Sequence, residues 1–438
     1  MLKAFNLHIE SNFKELLNQP FLVAISGGVD SVVLSYLCHL NNLNYGLAHC
    51  NFQLRGNESD IDERFVKDLA EQFSIDIFSK QFDTKQFAKT HKRSIQMAAR
   101  EQRYQWFEAL TKNTKYKYIL TAHHADDNLE TFLINFTRGT GLFGLTGIPE
   151  KQKQIRRPLL PFSSEDILYF AKGNNIQWRE DSSNKSVKYL RNKLRHEVIP
   201  ILKDINPKLI VSFKKTNAFL NDTSFLIERE INRFSKKALI SKENGVTKYK
   251  VSTFLKSKNP SAYLYEIFKN YGFTQWEDIF QLLKAESGKQ VFSKSHRLVK
   301  HRSTLLLSKI KNEQSVNLAV TRDTKKLQIP EGEITFKQVI NVKSNTKNCI
   351  YIDFNKIEFP LKIRPWSTKD IICPVGMTGK KKVSKLLKDE KLSIIEKENT
   401  LVLTSENNIV WVIDQRVDRR FLGNSKSNNY LKIKFSKS

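Results

Sequence analysis

Cysteine is scarce, with four in 438 residues: Cys38, Cys50, Cys349 and Cys373. No two form a CxxC pair, so the spacing suits neither a zinc site nor a disulfide framework, and reduced thiols are expected. Carboxylates are also short, 45 Asp and Glu against 73 Lys and Arg, for a net charge of +28. That imbalance opposes folding by self-repulsion unless an anion shields it. It points to a nucleic-acid partner, whose phosphates favour Lys and Arg through counterion release. A lysine-rich background composition is the competing explanation, and a membrane surface a weaker one. No apolar run approaches the roughly 18 residues of a membrane span. Residues Met1 to Glu10 carry no basic-then-apolar signal. The chain is therefore expected to be soluble and cytoplasmic, with no membrane partner. At 40% hydrophobic and 27% charged it reads as globular. Its length predicts about two to three domains.

The first 200 residues alternate strand-like and helical patterns. Phe21-Leu22-Val23-Ala24-Ile25 is a continuous apolar run, as buried parallel strands are. Val32, Val33, Tyr36, Leu37 and Leu40 follow at helical spacing. Further strands are expected at Tyr45 to His49, Ile75 to Phe78 and Tyr118 to Ala122. Further helices are expected at Ser94 to Leu110 and Asn128 to Phe136. Such alternation predicts an α/β fold with a doubly wound, mainly parallel sheet over residues 1–205. A mostly helical middle domain is expected over 206–312, ending in two short strands between Gln290 and Leu307. A small α+β domain is expected over 320–438, with strands at Val410 to Ile413 and Tyr430 to Ile433.

Chemistry concentrates after the first strand, at Ser26-Gly27-Gly28-Val29-Asp30-Ser31. Two glycines allow a sharp turn and a close backbone approach. The helix start behind them offers unpaired N–H groups to an anion. The Gly-Lys-Ser/Thr ending of a Walker A loop is absent. Asp30 would repel phosphate unless a cation bridges them, which implies Mg²⁺; helix capping is the plainer role. Ser-Gly-Gly-Val-Asp-Ser matches the PP-loop of the N-type ATP pyrophosphatases. The resemblance implies a Rossmann-related sheet that splits ATP into AMP and pyrophosphate.

Other segments narrow the choice. Ala48-His49-Cys50-Asn51-Phe52-Gln53-Leu54-Arg55-Gly56 leaves the second strand. Arg100 and Arg103 sit three apart on a helix, where neighbours share a face, and suit phosphate or carboxylate; a solvated face is the alternative. Thr121-Ala122-His123-His124-Ala125-Asp126-Asp127-Asn128 follows a strand, at the end where ligands collect in open α/β sheets. One of Asp126 and Asp127 is open to the plainer role of capping the helix. Arg138-Gly139-Thr140-Gly141, with Gly144 and Gly147, suggests a mobile loop. Arg157-Pro158-Leu159-Leu160, Glu180-Asp181-Ser182-Ser183-Asn184 and Arg191-Asn192-Lys193-Leu194-Arg195-His196 complete the set.

In this order the segments resemble the tRNA(Ile)-lysidine synthetase family over about the first 200 residues. Leu264 to Ile267 through Lys294 to Arg297 is similar to its connecting domain. Gly376 to Lys382, Trp411 and Arg420-Phe421 are similar to its C-terminal domain. Two positions depart: the family often has Gly-Asp where Lys369-Asp370 stands, and usually Gly where Asp414 stands.

The resemblance implies ligation of lysine to C2 of the wobble cytidine in the CAU anticodon of tRNA(Ile), after ATP adenylylates that cytidine. On this reading Ser26 through Ser31 and His123 hold ATP, and Asp30 and Asp127 hold Mg²⁺. Asp30, Asp127, Arg191 and Arg195 are the catalytic candidates. Arg55, Arg100, Arg103, Arg138, Lys380, Lys381 and Lys382 are the candidates for contacting tRNA. Free lysine is the second substrate, and a homodimer is left open. Three rivals fare worse. Related tRNA thiolases commonly use CxxC cysteines, and glutamine-dependent synthetases need a glutaminase domain. A non-catalytic RNA-binding protein would have no use for Asp30, Asp126 and Asp127.

Overall fold

The run after Pro20 becomes strand β1 (Phe21–Ala24), the inner strand from which the first sheet is built. Its side chains alternate between two faces. Phe21 and Val23 join Phe5, Phe13, Val32 and Leu37 on one side, while Leu22 joins Ala48, Trp106, Phe107 and Ile119 on the other. Burial on both faces explains why the run has no polar positions. The computed structural model describes residues 1–180, 190–310, 316–424 and 427–437.

β2 (Tyr45–Asn51) and β4 (Tyr118–Leu120) flank β1 in parallel, and β3 (Ile77–Gln81) lies parallel outside β2. β6 (Ile155–Arg156) extends the sheet in parallel beyond β4, and β5 (Lys151–Gln152) closes that edge antiparallel. The order is β3-β2-β1-β4-β6-β5. From β1 the chain steps to β2 on one side and later to β4 on the other. The carboxyl ends of β1 and β4 therefore border the switch point where such folds bind ligands. Helices Val29–Leu40, Asn57–Gln72, Ile95–Asn113 and Ala125–Thr137 follow β1 to β4 in turn, the doubly wound α/β arrangement expected. The last begins three residues before the expected Asn128, because Asp127 accepts from the His124 N–H at its start.

The chain divides into two compact units, Met1–Glu228 and Arg229–Ser438. The division falls within a 30-residue helix, Leu209–Ala238. In the second unit, helices Val251–Leu255, Pro260–Phe268 and Trp276–Gln281 pack on a five-stranded antiparallel sheet. Its strands are β7 (Leu239–Glu243), β8 (Val246–Lys250), β9 (Gln290–Phe292), β10 (His296–His301) and β11 (Thr304–Lys309), in the order β7-β8-β11-β10-β9. Phe254, Phe268, Leu298, Leu305 and Leu307 fill the space between the layers. β7 and β8 are mostly exposed or half-buried and lysine-bearing, so they give little apolar signal.

The remainder is strand-rich. One sheet has the order β12-β16-β19-β20-β21 and another β13-β14-β22-β15. Their strands are β12 (Leu318–Val320), β13 (Lys326–Ile329), β14 (Gly332–Val339), β15 (Cys349–Asp353), β16 (Leu361–Pro365), β19 (Leu401–Ser405), β20 (Asn408–Val412), β21 (Arg416–Val417) and β22 (Tyr430–Lys437). A small separate pair, β17 (Ile371–Ile372) and β18 (Lys381–Lys382), packs Ile372 against Val402 and Val412. Trp411, Ile352 and Ile433 lie in the common core. Among the described residues no helix is long and apolar enough to cross a membrane.

Candidate active site

The loop after β1 closes on itself through its hydroxyls. Ser31 Oγ accepts from the Ser26 N–H at 3.1 Å, donates to the Gly28 carbonyl at 3.0 Å, and lies 3.2 Å from Ser26 Oγ. Gly27 has φ +92°, where a side chain is strained, and a Cβ there would also meet Arg179 and Phe65 at 3.7 Å. Gly28 is the cap residue of helix Val29–Leu40. The first N–H groups of that helix lack intrahelical acceptors and favour an anion.

Asp30, in the first turn, meets the segment after β4 through His124. His124 Nε2 lies 3.8 Å from Asp30 and 3.4 Å from Asp127, and its Nδ1 lies 3.8 Å from Asp126. The imidazole is buried, and Nδ1 has no hydrogen-bond partner. Asp127 accepts from the His124 N–H at 3.1 Å and pairs with Arg195 at 3.3 Å. Asp126 instead accepts from the Ser164 N–H at 2.8 Å and pairs with Lys203 at 3.2 Å. The two adjacent carboxylates thus divide their work: Asp126 ties down a neighbouring helix start, and Asp127 faces Asp30.

Electrostatics follow from that grouping. Burial pushes the Asp30 carboxyl up; His124 and Arg195 oppose the push, while Asp127 adds to it. Burial also raises Asp127, but His124, His123 and Arg191 outweigh it and hold the carboxyl below its ordinary range. Burial lowers His123 to about 4, against the pull of Asp127 and with help from Arg157, Arg191 and Arg100. His123 is therefore neutral at pH 7, and its Nδ1 lies 2.9 Å from Thr121 Oγ1.

Arg191 and Arg195 converge on one buried carboxylate. Glu130 lies 2.8 Å from Arg191 Nε and 2.6 Å from Arg195 Nε, and its own side chain is only 1% exposed. Arg191 also reaches Thr131 Oγ1 at 3.0 Å. Their backbone passes from a short α-helix, Leu190–Lys193, into a π-helical turn, Leu194–Val198. On the other side of the phosphate loop, Asp62 takes Arg55 at 2.8 Å and Arg179 at 3.1 Å. Next to it, Glu63 accepts from Asn51, Ser79 and Gln81 and pairs with Lys67.

The remaining candidates have other surroundings. Arg100 stacks over Tyr104 at 4.9 Å, and Arg103 over Phe52 at 5.3 Å. Arg138 is exposed at the end of helix Ala125–Thr137. Lys380 and Lys382 are exposed in the second unit, whereas Lys381 turns to Asp389 at 2.6 Å with its side chain 14% exposed. The motif residues Asp181 to Asn184 fall outside the described residues.

Comparison with known proteins gives this geometry a family. The PP-loop domain matches residues 1–202, the TilS substrate binding domain 242–310, and the TilS substrate C-terminal domain 361–433. A tRNA(Ile)-lysidine synthase of Parabacteroides distasonis is 36% identical over 99% of this chain and all of its own length. One of Bacteroides thetaiotaomicron is 36% identical over 94% of this chain and 95% of its own. The chain belongs to the tRNA(Ile)-lysidine synthase family. Among solved structures, the U34-tRNA thiolase NcsA from Methanococcus maripaludis overlaps 50% of this chain and 77% of its own at 18% identity, with a TM-score of 0.40. That likeness is too distant to bear on function.

A lysidine synthase of this family is an ATP-dependent ligase, so the crevice is the place to seek its nucleotide. Among the described residues no group of three or more His, Cys, Asp and Glu side chains encloses a metal ion. Mg²⁺ does not need such a cage, since one or two carboxylates plus substrate phosphates suffice. Asp30 and Asp127 fit that role, because both approach His124 Nε2 and the charge of Asp127 is felt at Asp30. The sequence alone does not single out His124, Glu130, Asp62, Glu63 or Arg179. His124 lies within a candidate segment, but nothing local favours it over His123. The carboxylates that hold the arginines give no local signal, since Glu130 and Arg195 are 65 positions apart.

Proposed function

We propose that this chain ligates lysine to C2 of the wobble cytidine in the CAU anticodon of tRNA(Ile), using ATP. The observation that carries the reading is the convergence of Asp30 and Asp127 on one nitrogen of His124, at the sheet's switch point. It brings the phosphate loop and the segment after β4 into one crevice.

The chemistry has two steps. The cytidine C2 oxygen attacks the α-phosphorus of ATP; a P–O bond forms and the bond to pyrophosphate breaks. The lysine ε-amine then attacks C2, the C2–O bond breaks, AMP leaves, and the amine gives up a proton. Adenylylation matters because AMP is a far better leaving group than the bare oxygen.

Ser26 through Ser31 cradle the phosphates with hydroxyl and backbone N–H groups. Asp30 and Asp127 would hold Mg²⁺, which would neutralise phosphate charge. Arg191 and Arg195, kept in place by Glu130, stand ready to stabilise charge on the adenylate. Asp127 also offers a carboxylate to orient the cationic lysine. Neutral His123 contacts phosphate as a hydrogen-bond donor rather than a charge.

Residues 320–438 grip tRNA. Support comes from the four-stranded sheet, where Lys337 stands opposite Lys432 and Lys434 lies between Thr335 and Cys349. Such lysines, with no carboxylate partner among the described residues, suit phosphate, which positions nucleic acid without reading its sequence. A pyrophosphate-release assay tests the reading. AMP and pyrophosphate should accumulate in step with lysidine only when tRNA(Ile), lysine and ATP are all present. ATP cleavage that ignores tRNA would refute the proposal.

A further inference from the structure

The phosphate loop has no lysine of its own between Ser26 and Ser31, so a side-chain cation for the terminal phosphates would come from elsewhere in the fold. Arg191 and Arg195 are tethered to the helix after β4, through Glu130 and Asp127. Arg179 is placed differently. Its backbone N–H donates to the Gly27 carbonyl at 2.9 Å. Its Cβ and Cγ lie 3.8 and 3.7 Å from where a Gly27 Cβ would be. The aliphatic stem therefore runs along the loop itself. At its far end Nε meets Asp62 at 3.1 Å. The Asp62 side chain is 8% exposed, and it is fixed in turn by Arg55 at 2.8 Å. The Arg179 side chain remains 38% exposed, and among the described residues its two terminal nitrogens meet no carboxylate.

We infer that Arg179 binds the terminal phosphates of ATP and the pyrophosphate they become, and that Asp62 is its positioning residue. This rests on the reading of residues 26–31 as an ATP phosphate loop. With Nε held by a carboxylate, the guanidinium presents its remaining pair of donors in a rigid fork. That fork matches two oxygens of one phosphate. A phosphate of the tRNA backbone is the competing source of the same oxyanion chemistry. The arginine's attachment to the loop, through Gly27, favours the nucleotide.

Equilibrium binding of ATP, pyrophosphate and AMP to the full chain tests this without relying on turnover. AMP shares the adenosine and α-phosphate but lacks the groups Arg179 would hold. Arg179→Gln keeps the stem along Gly27 and removes the charge. It should weaken ATP and pyrophosphate by about tenfold or more, the usual scale for a charged hydrogen-bond pair, and leave AMP and tRNA binding unchanged. Asp62→Asn should weaken ATP less, again sparing AMP. Unchanged ATP affinity in Arg179→Gln would overturn the inference. So would equal losses for ATP and AMP, or a loss confined to tRNA. If the unaltered chain itself binds AMP as tightly as ATP, the phosphate-loop reading fails, and this inference with it.

Discussion

The crevice of the first unit and the four-stranded sheet of the second handle positive charge in opposite ways. In the first, arginines are answered by buried carboxylates: Arg191 and Arg195 share Glu130, and Arg55 and Arg179 share Asp62. In the second, lysines face one another across a sheet. Lys337 stands opposite Lys432, whose ammonium lies 5.8 Å from the Tyr351 ring. Directly opposed like charges destabilise a sheet. The difference teaches what each charge is for. Paired arginines are oriented in advance, which suits a small anion at a fixed place. Unpaired lysines make a field, which suits a long polyanion bound along its backbone.

Breaking the first kind of site should have the largest effect. Asp127→Ala removes the carboxylate that faces Asp30, caps its helix and holds Arg195. Lysine transfer should fall by about a thousandfold or more, the upper range for one preorganised group, with tRNA affinity retained. Near-normal turnover would dissolve the contrast between crevice and sheet.

The second kind should respond to salt. Lys337→Ala with Lys432→Ala should reduce the slope of log affinity for tRNA against log salt by about two, one for each phosphate no longer neutralised. KM for ATP should not move. The lysine run sharpens the comparison further. Lys382→Ala should flatten the slope by about one, whereas Lys381→Ala should leave it alone, because Lys381 already has Asp389.

A smaller effect lies in stability against pH. Burial would raise Glu63, but Lys67, Asn51, Ser79 and Gln81 overcome it and bring the carboxyl down to about 2 from its ordinary 4.5. A lowered folded value means that the stabilisation is complete above the ordinary value and disappears as pH falls toward 2. Glu63→Gln should cost about 1–3 kcal/mol at neutral pH and flatten the acid limb of the melting temperature. An unchanged acid limb would place the source of acid lability elsewhere.

Legibility in the sequence follows the same division. β1, β2 and β4 are readable because parallel strands buried on both faces need unbroken apolar runs, as in Phe21–Ala24. The phosphate loop is readable because glycine and serine at fixed offsets do local work. β7 and β8 are not, since their half-exposed residues carry lysine and threonine. That one of Asp126 and Asp127 serves a structural role can be read from residue type. Which of them faces the crevice depends on where Ser164 and Lys203 arrive. Asp414 shows a constraint that the chain meets without glycine: its φ is +59°, and its carboxylate takes Lys437 at 2.7 Å. Aspartate tolerates that left-handed conformation better than most residues.

One measurement reaches the centre of the account: incubation of the protein with ATP and radiolabelled lysine, supplied in turn with isoleucine and methionine tRNAs that share the CAU anticodon. The account predicts label on the isoleucine tRNA alone, and none when Asp30 is replaced by Ala. Label on neither tRNA, or label that survives loss of Asp30, would contradict it.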